Sequence, residues 1–516
     1  MRTHQPVNTH EDLLGVVDGL LEEMGLNRRD TGGTVTFAGL DPLRPTVLKV
    51  GAAAASIAAA GAIASAILWR QRGGEGQDIH VDLRKAFTYQ SPWQDVLQDC
   101  TLINGKSVMV PATFFWVQGL LPTRDNRFVF LGAPYPSQQV KAAQLFGFGP
   151  VESQLAQVAR KWDAADLEAA GQAGDLPITM VRTQEEFQAS DQWQYHAATP
   201  LVHIEKIRES EPEPLPPASR PLAGVRALGM THVVAGPVVL RQLAAAGADC
   251  LNLNMPGYVE DRVFYMQSDA GVRQAILEAR QPENRKQVYA LVRDADVFVE
   301  NLRPQLAARE GYAAEDLAVV RPGIVCARIK LNTVEGPWAN WVGFDLSAGA
   351  FTGVYAAEGS AEQPRLPGGV NVVVDFLCGM LTAAAVQAAL IRRAKEGGSY
   401  RITITLAQVT TFEMSLGFND KAQLLDLEAL GAEHQIQRPN LVTRMTPFGE
   451  FTRLGSQVEL SRTPEFWTDP ILVPMGSSRP EWLPKSKSSE SHKQLASAAR
   501  EARMDRPRAK MQGNQR

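Results

Sequence analysis

The chain has 516 residues, of which 45% are hydrophobic and 21% charged, an ordinary globular composition with length for two or more domains, each burying its own core. A formal net charge of -4 gives no electrostatic basis for a nucleic-acid partner. The four cysteines, Cys100, Cys250, Cys326 and Cys378, lie far apart without disulfide-framework or metal-ligand spacing, and the opening MRTHQPVNTHEDLLG lacks a basic-then-apolar leader layout, so a cytoplasmic protein without a metal site is expected.

Residues 1–86 contain an Ala-rich helix and a strand. The run from Val50 to Trp69 is uncharged and long enough to span a bilayer. It is mostly Ala, Gly and Ser, however, which suits a helix packed on every side inside a protein, so no membrane partner is expected. Residues 87–208 mix strand-like runs such as RFVFLG (Arg127 to Gly132) with the helical DAADLEAAGQA, and predict a small α+β domain. The acidic, Pro-rich stretch 209–223 reads as a linker, since prolines stop helices and central strands.

Beyond it, residues 224–410 alternate short apolar strands with helices. Strands are predicted at VRALGM (225–230), DCLNLN (249–254), DVFVE (296–300) and IVCARI (324–329), with a helix begun near Pro237 and closed by Gly247. That alternation predicts an α/β domain with a doubly wound parallel sheet, whose ligands sit beyond the carboxyl ends of the strands. Residues 411–475 form a closing segment. The stretch 476–516 is polar and basic, and a disordered tail is expected there.

The chain also repeats itself. GAIASAILWRQRGGEGQDIHVDLR, Gly61 to Arg84, aligns without gaps on AAVQAALIRRAKEGGSYRITITLA, Ala384 to Ala407. Each passes from an Ala-rich helix through basic residues and a Gly-rich turn into an alternating strand. In that register Asp375 of the second copy stands opposite Ala52 of the first.

PLAGVRALGMTHVVAGPVVLRQLAAAGAD, DADVFVENLRPQLAAREGY, RPGIVCARI, GFDLSAGAFTGV and VVVDFLCGM, in this order and spacing, resemble the class III CoA-transferase family, the carnitine dehydratase and bile-acid-inducible protein F type. WDAADLEAAGQAGDLPITMVRTQEEF looks like the family's small domain, and TPFGEFTRLGS like its closing segment. The resemblance implies transfer of CoA between an acyl-CoA and a carboxylic acid, with no cofactor beyond the CoA substrates and with a homodimer as the usual assembly. It assigns the covalent carrier to Asp375, in the D-x-x-x-G motif Asp375–Gly379. Read from its residues alone, the same aspartate is an ordinary helix N-cap, and a capping aspartate can also present its free oxygen to a substrate. The resemblance also places Val234 and Ala235 against the pantetheine arm, Asn301, Leu302 and Arg303 beside the nucleotide, Arg309 on the phosphates, and Arg262 after the second strand.

The chain departs from the family at several loops. Its R-G-K-R type segment is reduced to AGVRQ with Arg273, its Gly-rich turn becomes KLNTVEGP, and the acidic end of the second strand is Asn254. Gly343-Phe344-Asp345 stands where racemases of the family carry G-H-D, and phenylalanine carries no proton. A racemase or isomerase, and a non-catalytic acyl-CoA-binding homologue, are the alternatives to a transferase. The second copy also runs from its strand to its closing segment with little between. The two halves are therefore expected to be complementary, the small domain of the first closing over Asp375 of the second.

Overall fold

The computed structural model describes residues 6–90, 99–108, 117–147, 152–258, 260–368 and 374–484. A seven-stranded sheet organises the second half. Its spatial order is Arg273–Ile276, Asp249–Asn254, Arg226–Met230, Val297–Glu300, Val325–Lys330, Ser399–Thr405 and His203–Arg208. Neighbouring strands are parallel except for the last, which runs antiparallel to Ser399–Thr405. The central strands read as continuous apolar runs because helices cover both faces. After Arg226–Met230 the chain builds outward on one side and then returns to Val297–Glu300 on the other, which leaves a crevice at the carboxyl ends of these two strands.

One strand crosses the expected division of the chain. His203–Arg208, assigned above to the small domain, is the edge strand of the large sheet, and the AGVRQ segment supplies the opposite edge, where Arg273 pairs with Asp249 at 2.8 Å. The stretch 209–223 is extended but held: Arg72 donates to the carbonyls of Pro216, Pro221 and Ala223 at 2.7–2.8 Å, and Arg321 meets Glu213 at 2.6 Å. Residues 476–484, expected to be disordered, lie along the surface and are anchored at Trp482. The Trp482 indole donates to the Leu291 carbonyl at 2.9 Å and lies 5.4 Å from the Arg226 guanidinium. The rest of that expected tail lies outside the described residues.

The smaller domain is a three-stranded sheet, Val117–Pro122, Phe128–Ala133 and Ile178–Met180. Helices Pro136–Phe146, Glu152–Ala159 and Ala164–Ala173 accompany it, sharing a separate apolar core. The closing segment turns back to the first half. Gly449–Leu454 pairs with Leu102–Ile103, and Val458–Leu460 pairs with Ile79–Asp82.

The repeat occupies matching elements. In the first copy, helix Val50–Gln71 leads to strand Ile79–Asp82 and helix Leu83–Ala86; in the second, helix Asp375–Glu396 leads to strand Ser399–Thr405 and helix Leu406–Ser415. In each the last strand residue caps the next helix, Asp82 accepting from Arg84 N–H and Thr405 from Gln408 N–H. Both long helices are apolar and long enough to cross a membrane, and 94% of each apolar window is buried within the protein. They pack on each other through small residues, Gly61 beside Ala384, and through a hydrogen bond from Ser65 Oγ to Gln387 Oε1 at 2.6 Å.

Candidate active site

The crevice at the strand ends opens into a cavity of about 660 Å³. Its walls are the segments that follow successive strands: Thr231–Ala235, Asn254–Tyr258, Ala279–Arg280, Asn301–Pro304 and Lys330–Leu331. A second cavity of about 420 Å³ adjoins it, walled by Gln118, Phe130, Phe264, Leu346 and others. Tyr135, Pro136, Val233, Val234, Phe344 and Asp375 border both. Asp375 therefore stands where the two spaces meet.

Local structure explains that position. Asp375 is the first residue of its helix, and the N-cap position is Val374, which makes no side-chain capping bond. The N-cap reading of Asp375 is thus corrected: its carboxyl is not spent on closing its own helix. The first copy differs here, since Asp41 accepts from the N–H groups of Gly51 and Ala52 at 3.1 and 2.8 Å and occupies that helix start. Gly379, the glycine of the D-x-x-x-G motif, has a packing role. A Cβ there would lie 2.5 Å from the Ala235 carbonyl and 2.7 Å from the Val238 side chain, so only glycine lets the Asp375 helix approach helix Ala235–Ala245 this closely.

Asp375 is buried at 7% exposure. Burial raises its pKa well above the ordinary carboxylate range, and the Asp345 carboxyl nearby raises it further. Asp345 opens the helix Asp345–Thr352 and borders the smaller cavity with Asp375. Its significance was missed in the sequence, where attention fell on the absent histidine at Phe344. A neighbouring signal was present, an acidic residue directly after the substituted position.

The expected binding residues separate into groups. Val234, Ala235, Asn301, Leu302 and Arg303 all border the larger cavity. Asn301 also holds the first turn, accepting from His232 N–H at 3.1 Å and donating to the His232 carbonyl at 2.8 Å. That turn is strained: Val233, a β-branched residue, has φ of 65°. His232 lies beside Tyr258, its Nδ1 2.8 Å from the phenol oxygen, and burial lowers its pKa to about 4, so its ring is neutral at physiological pH.

Arg262 and Arg309 are placed elsewhere. Arg262 is exposed on the border of the smaller cavity, not the larger. Arg309 does not border either cavity; its side chain is 72% exposed and pairs with Glu310 at 3.1 Å. The cations on the larger cavity are Arg303, Arg280 and Lys330. Lys330 is already satisfied by Glu300 at 2.9 Å and by the Leu302 carbonyl. Arg280 went unread in the sequence because only its place after the edge strand Arg273–Ile276 brings it to the crevice. Asn254 borders the same cavity and donates to Gln274 Oε1 at 2.8 Å. Among the described residues, no group of three or more His, Cys, Asp or Glu side chains is arranged to hold a metal.

The first half supplies part of the site. Gln118, Phe130, Tyr135 and Gln138 reach the cavities from the smaller domain. Gln172 bonds to both the N–H and the carbonyl of Val342, at 2.9 and 3.1 Å. Gln192 braces the KLNTVEGP turn through Thr333 Oγ1 at 2.6 Å and Trp338 N–H at 2.8 Å.

Residues 222–451 match the model of CoA-transferase family III. A protein of Hypoxylon pulicicidum named acetyl-coenzyme A transferase nodX is 29% identical over 321 residues, covering 56% of this chain and 53% of that protein. A succinate–glutarate CoA-transferase of Agrobacterium fabrum is 28% identical over 213 residues, covering 38% of this chain and 53% of that protein. The chain thus spans about half the length of these curated relatives. Among solved structures, a CAIB/BAIF family protein from Brucella suis is 22% identical with a TM-score of 0.35, covering 45% of this chain and 65% of that one.

Proposed function

We propose that this chain, which belongs to CoA-transferase family III over residues 222–451, moves CoA between carboxylic acids with Asp375 as the covalent carrier. The observation that carries the reading is the place of Asp375, buried at a helix start where a large cavity at the strand ends meets a second, smaller one. The relatives' shared naming as CoA-transferases supports the same activity.

The ionised Asp375 carboxylate attacks the thioester carbonyl, the C–S bond breaks, and CoA leaves as a thiolate from a mixed anhydride. The thiolate then attacks the aspartyl carbonyl, expelling the first acid as its carboxylate and leaving an aspartyl-CoA thioester. The incoming carboxylate repeats both steps in reverse, so no proton, electron or water is consumed overall. Backbone N–H groups at the start of the Asp375 helix support the oxyanions that form on the aspartyl carbonyl. Arg303 and Arg280 supply positive charge to the phosphates at the open end of the larger cavity.

Intact-mass measurement after incubation with acyl-CoA, followed by peptide mapping, tests the reading. A CoA thioester on the peptide bearing Asp375 is expected. An adduct on another residue, or turnover by Asp375→Asn, would overturn it.

A further inference from the structure

The smaller cavity differs in chemistry from the larger. Gly132, Pro134 and Val233 face it together with four aromatic rings, Phe130, Tyr135, Phe264 and Phe344. Tyr135 and Phe344 lie 6.2 Å apart at 40°, forming one tilted wall. An apolar cavity of about 150 Å³ suffices to bind benzene, so a space of about 420 Å³ has room for a ring or a branched chain. A one- or two-carbon acyl group would leave most of that surface uncovered.

Charge points the same way. The carboxyls of Asp375, Asp345, Glu260 and Asp261 border the space, whereas its sole bordering cation among the described residues is Arg262, exposed at the rim. Glu260 accepts from Val233 N–H at 3.0 Å through Oε1, and its buried Oε2 has no partner among the described residues. Burial raises the Glu260 pKa to about 7. A second carboxylate on the substrate would be desolvated here without a buried cation to receive it.

We propose that this smaller chamber takes the acyl group and selects apolar monocarboxylic acids bearing a ring or branched chain, against dicarboxylic acids and acids of one or two carbons. The inference rests on the transferase reading for its link to turnover, but the chamber can be tested for occupancy by itself.

Two measurements on the full chain separate the claims. The first is exchange of isotope between a free acid and its own CoA thioester, with phenylacetate, succinate and acetate compared, which needs no knowledge of the natural acceptor. Phenylacetate is expected to exchange with kcat/KM about tenfold or more above the other two. Leu346→Trp, which fills the chamber, should lower the phenylacetate-to-acetate ratio by about tenfold. The second is calorimetric binding of phenylacetate and succinate to the CoA-loaded protein, read for wild type and for Leu346→Trp. If no acid exchanges but phenylacetate binds in preference and loses affinity in a folded Leu346→Trp protein, the chamber assignment stands and the transferase reading falls. Succinate or acetate exchanging as fast as phenylacetate, or a folded Leu346→Trp protein with unchanged ratio and affinity, overturns the inference.

Discussion

Arg303 Nη1 lies 3.3 Å from Asp175 Oδ2, so an arginine of the second half on the larger cavity is tied to the smaller domain of the first. Lys141 meets the same carboxylate oxygen at 3.3 Å. All three side chains are partly exposed, and an exposed pair of this kind contributes little to stability. Its consequence is for ligand binding, because a phosphate arriving at Arg303 competes with Asp175. Asp175→Ala is expected to tighten CoA binding several-fold by freeing the guanidinium, and Arg303→Ala to weaken it by about 1.5–3 kcal/mol, the range for a lost charge-assisted contact. Arg309→Ala should bind CoA as wild type does, given its exposure away from the cavity. Calorimetry on the three variants checks all of this; equal affinity for wild type and Arg303→Ala would remove Arg303 from the site.

Asp375 and Asp345 together set a pH dependence. Only the ionised Asp375 is a nucleophile, and burial and Asp345 both raise its pKa, so kcat/KM should climb with pH through that raised value. Asp345→Asn removes the neighbouring negative charge, lowers the Asp375 pKa, and should move the rise toward lower pH. Asp375→Asn should cut exchange at least about a thousandfold, as for loss of a covalent nucleophile. Its fold should persist, since the carboxyl makes no capping bond. A rate profile unmoved by Asp345→Asn would show that Asp345 does not govern the ionisation.

Much of this site was legible before the structure. The strands DCLNLN and DVFVE lie where the alternation of apolar runs placed them, and the D-x-x-x-G aspartate lies at a helix start because an Ala-rich helix follows it. What the sequence could not carry was long-range placement. His203–Arg208 has a local pattern that fits either domain, and only pairing with Ser399–Thr405 assigns it. The resemblance brought Arg309 to the phosphates, whereas its charge pattern alone fits a solvated helix-surface arginine, and a one-turn helix, Leu306–Arg309, does direct it to solvent. The second chamber is walled by residues as distant as Gln118 and Leu346, a juxtaposition without a local signal.

A buried pair away from the site makes a stability prediction. Gln90 Nε2 donates to Glu413 Oε1 at 2.9 Å, while Gln90 Oε1 and Glu413 Oε2 are buried with no partner among the described residues. A proton on Glu413 spares the fold a buried, uncompensated charge, and burial raises the Glu413 pKa to about 8. The folded state therefore holds this proton where the unfolded chain releases it, near the ordinary glutamate value of 4.5. By linkage, the contribution is fully present below the unfolded pKa and is lost as pH rises through the folded one. Glu413→Gln keeps a donor without the titration. Melts at pH 5 and pH 9 should show the variant gaining on wild type at the higher pH, on the order of a few kcal/mol; a pH-independent difference would show that Glu413 is not protonated in the fold.

The halves should not function apart. The Asp375 helix buries its small-residue face against Val50–Gln71, Val458–Leu460 pairs with Ile79–Asp82, and Gly449–Leu454, paired on one edge with Leu441–Thr446, is covered on its other edge by Leu102–Ile103. Residues 216–516 alone would expose that helix face and those strand edges, and both are routes to aggregation. They would also lose the smaller domain's side of both cavities, Gln118, Phe130 and Tyr135, and the Gln172 and Gln192 braces on the 330–343 segment. Expressed alone, residues 216–516 are expected to be insoluble or inactive, and co-expression with residues 1–215 should restore both solubility and exchange. The Arg72 bonds to Pro216, Pro221 and Ala223 lie at this break and give the two pieces a specific point of rejoining. Soluble, monomeric and fully active 216–516 would show that the first half is dispensable and that the cavities close without it.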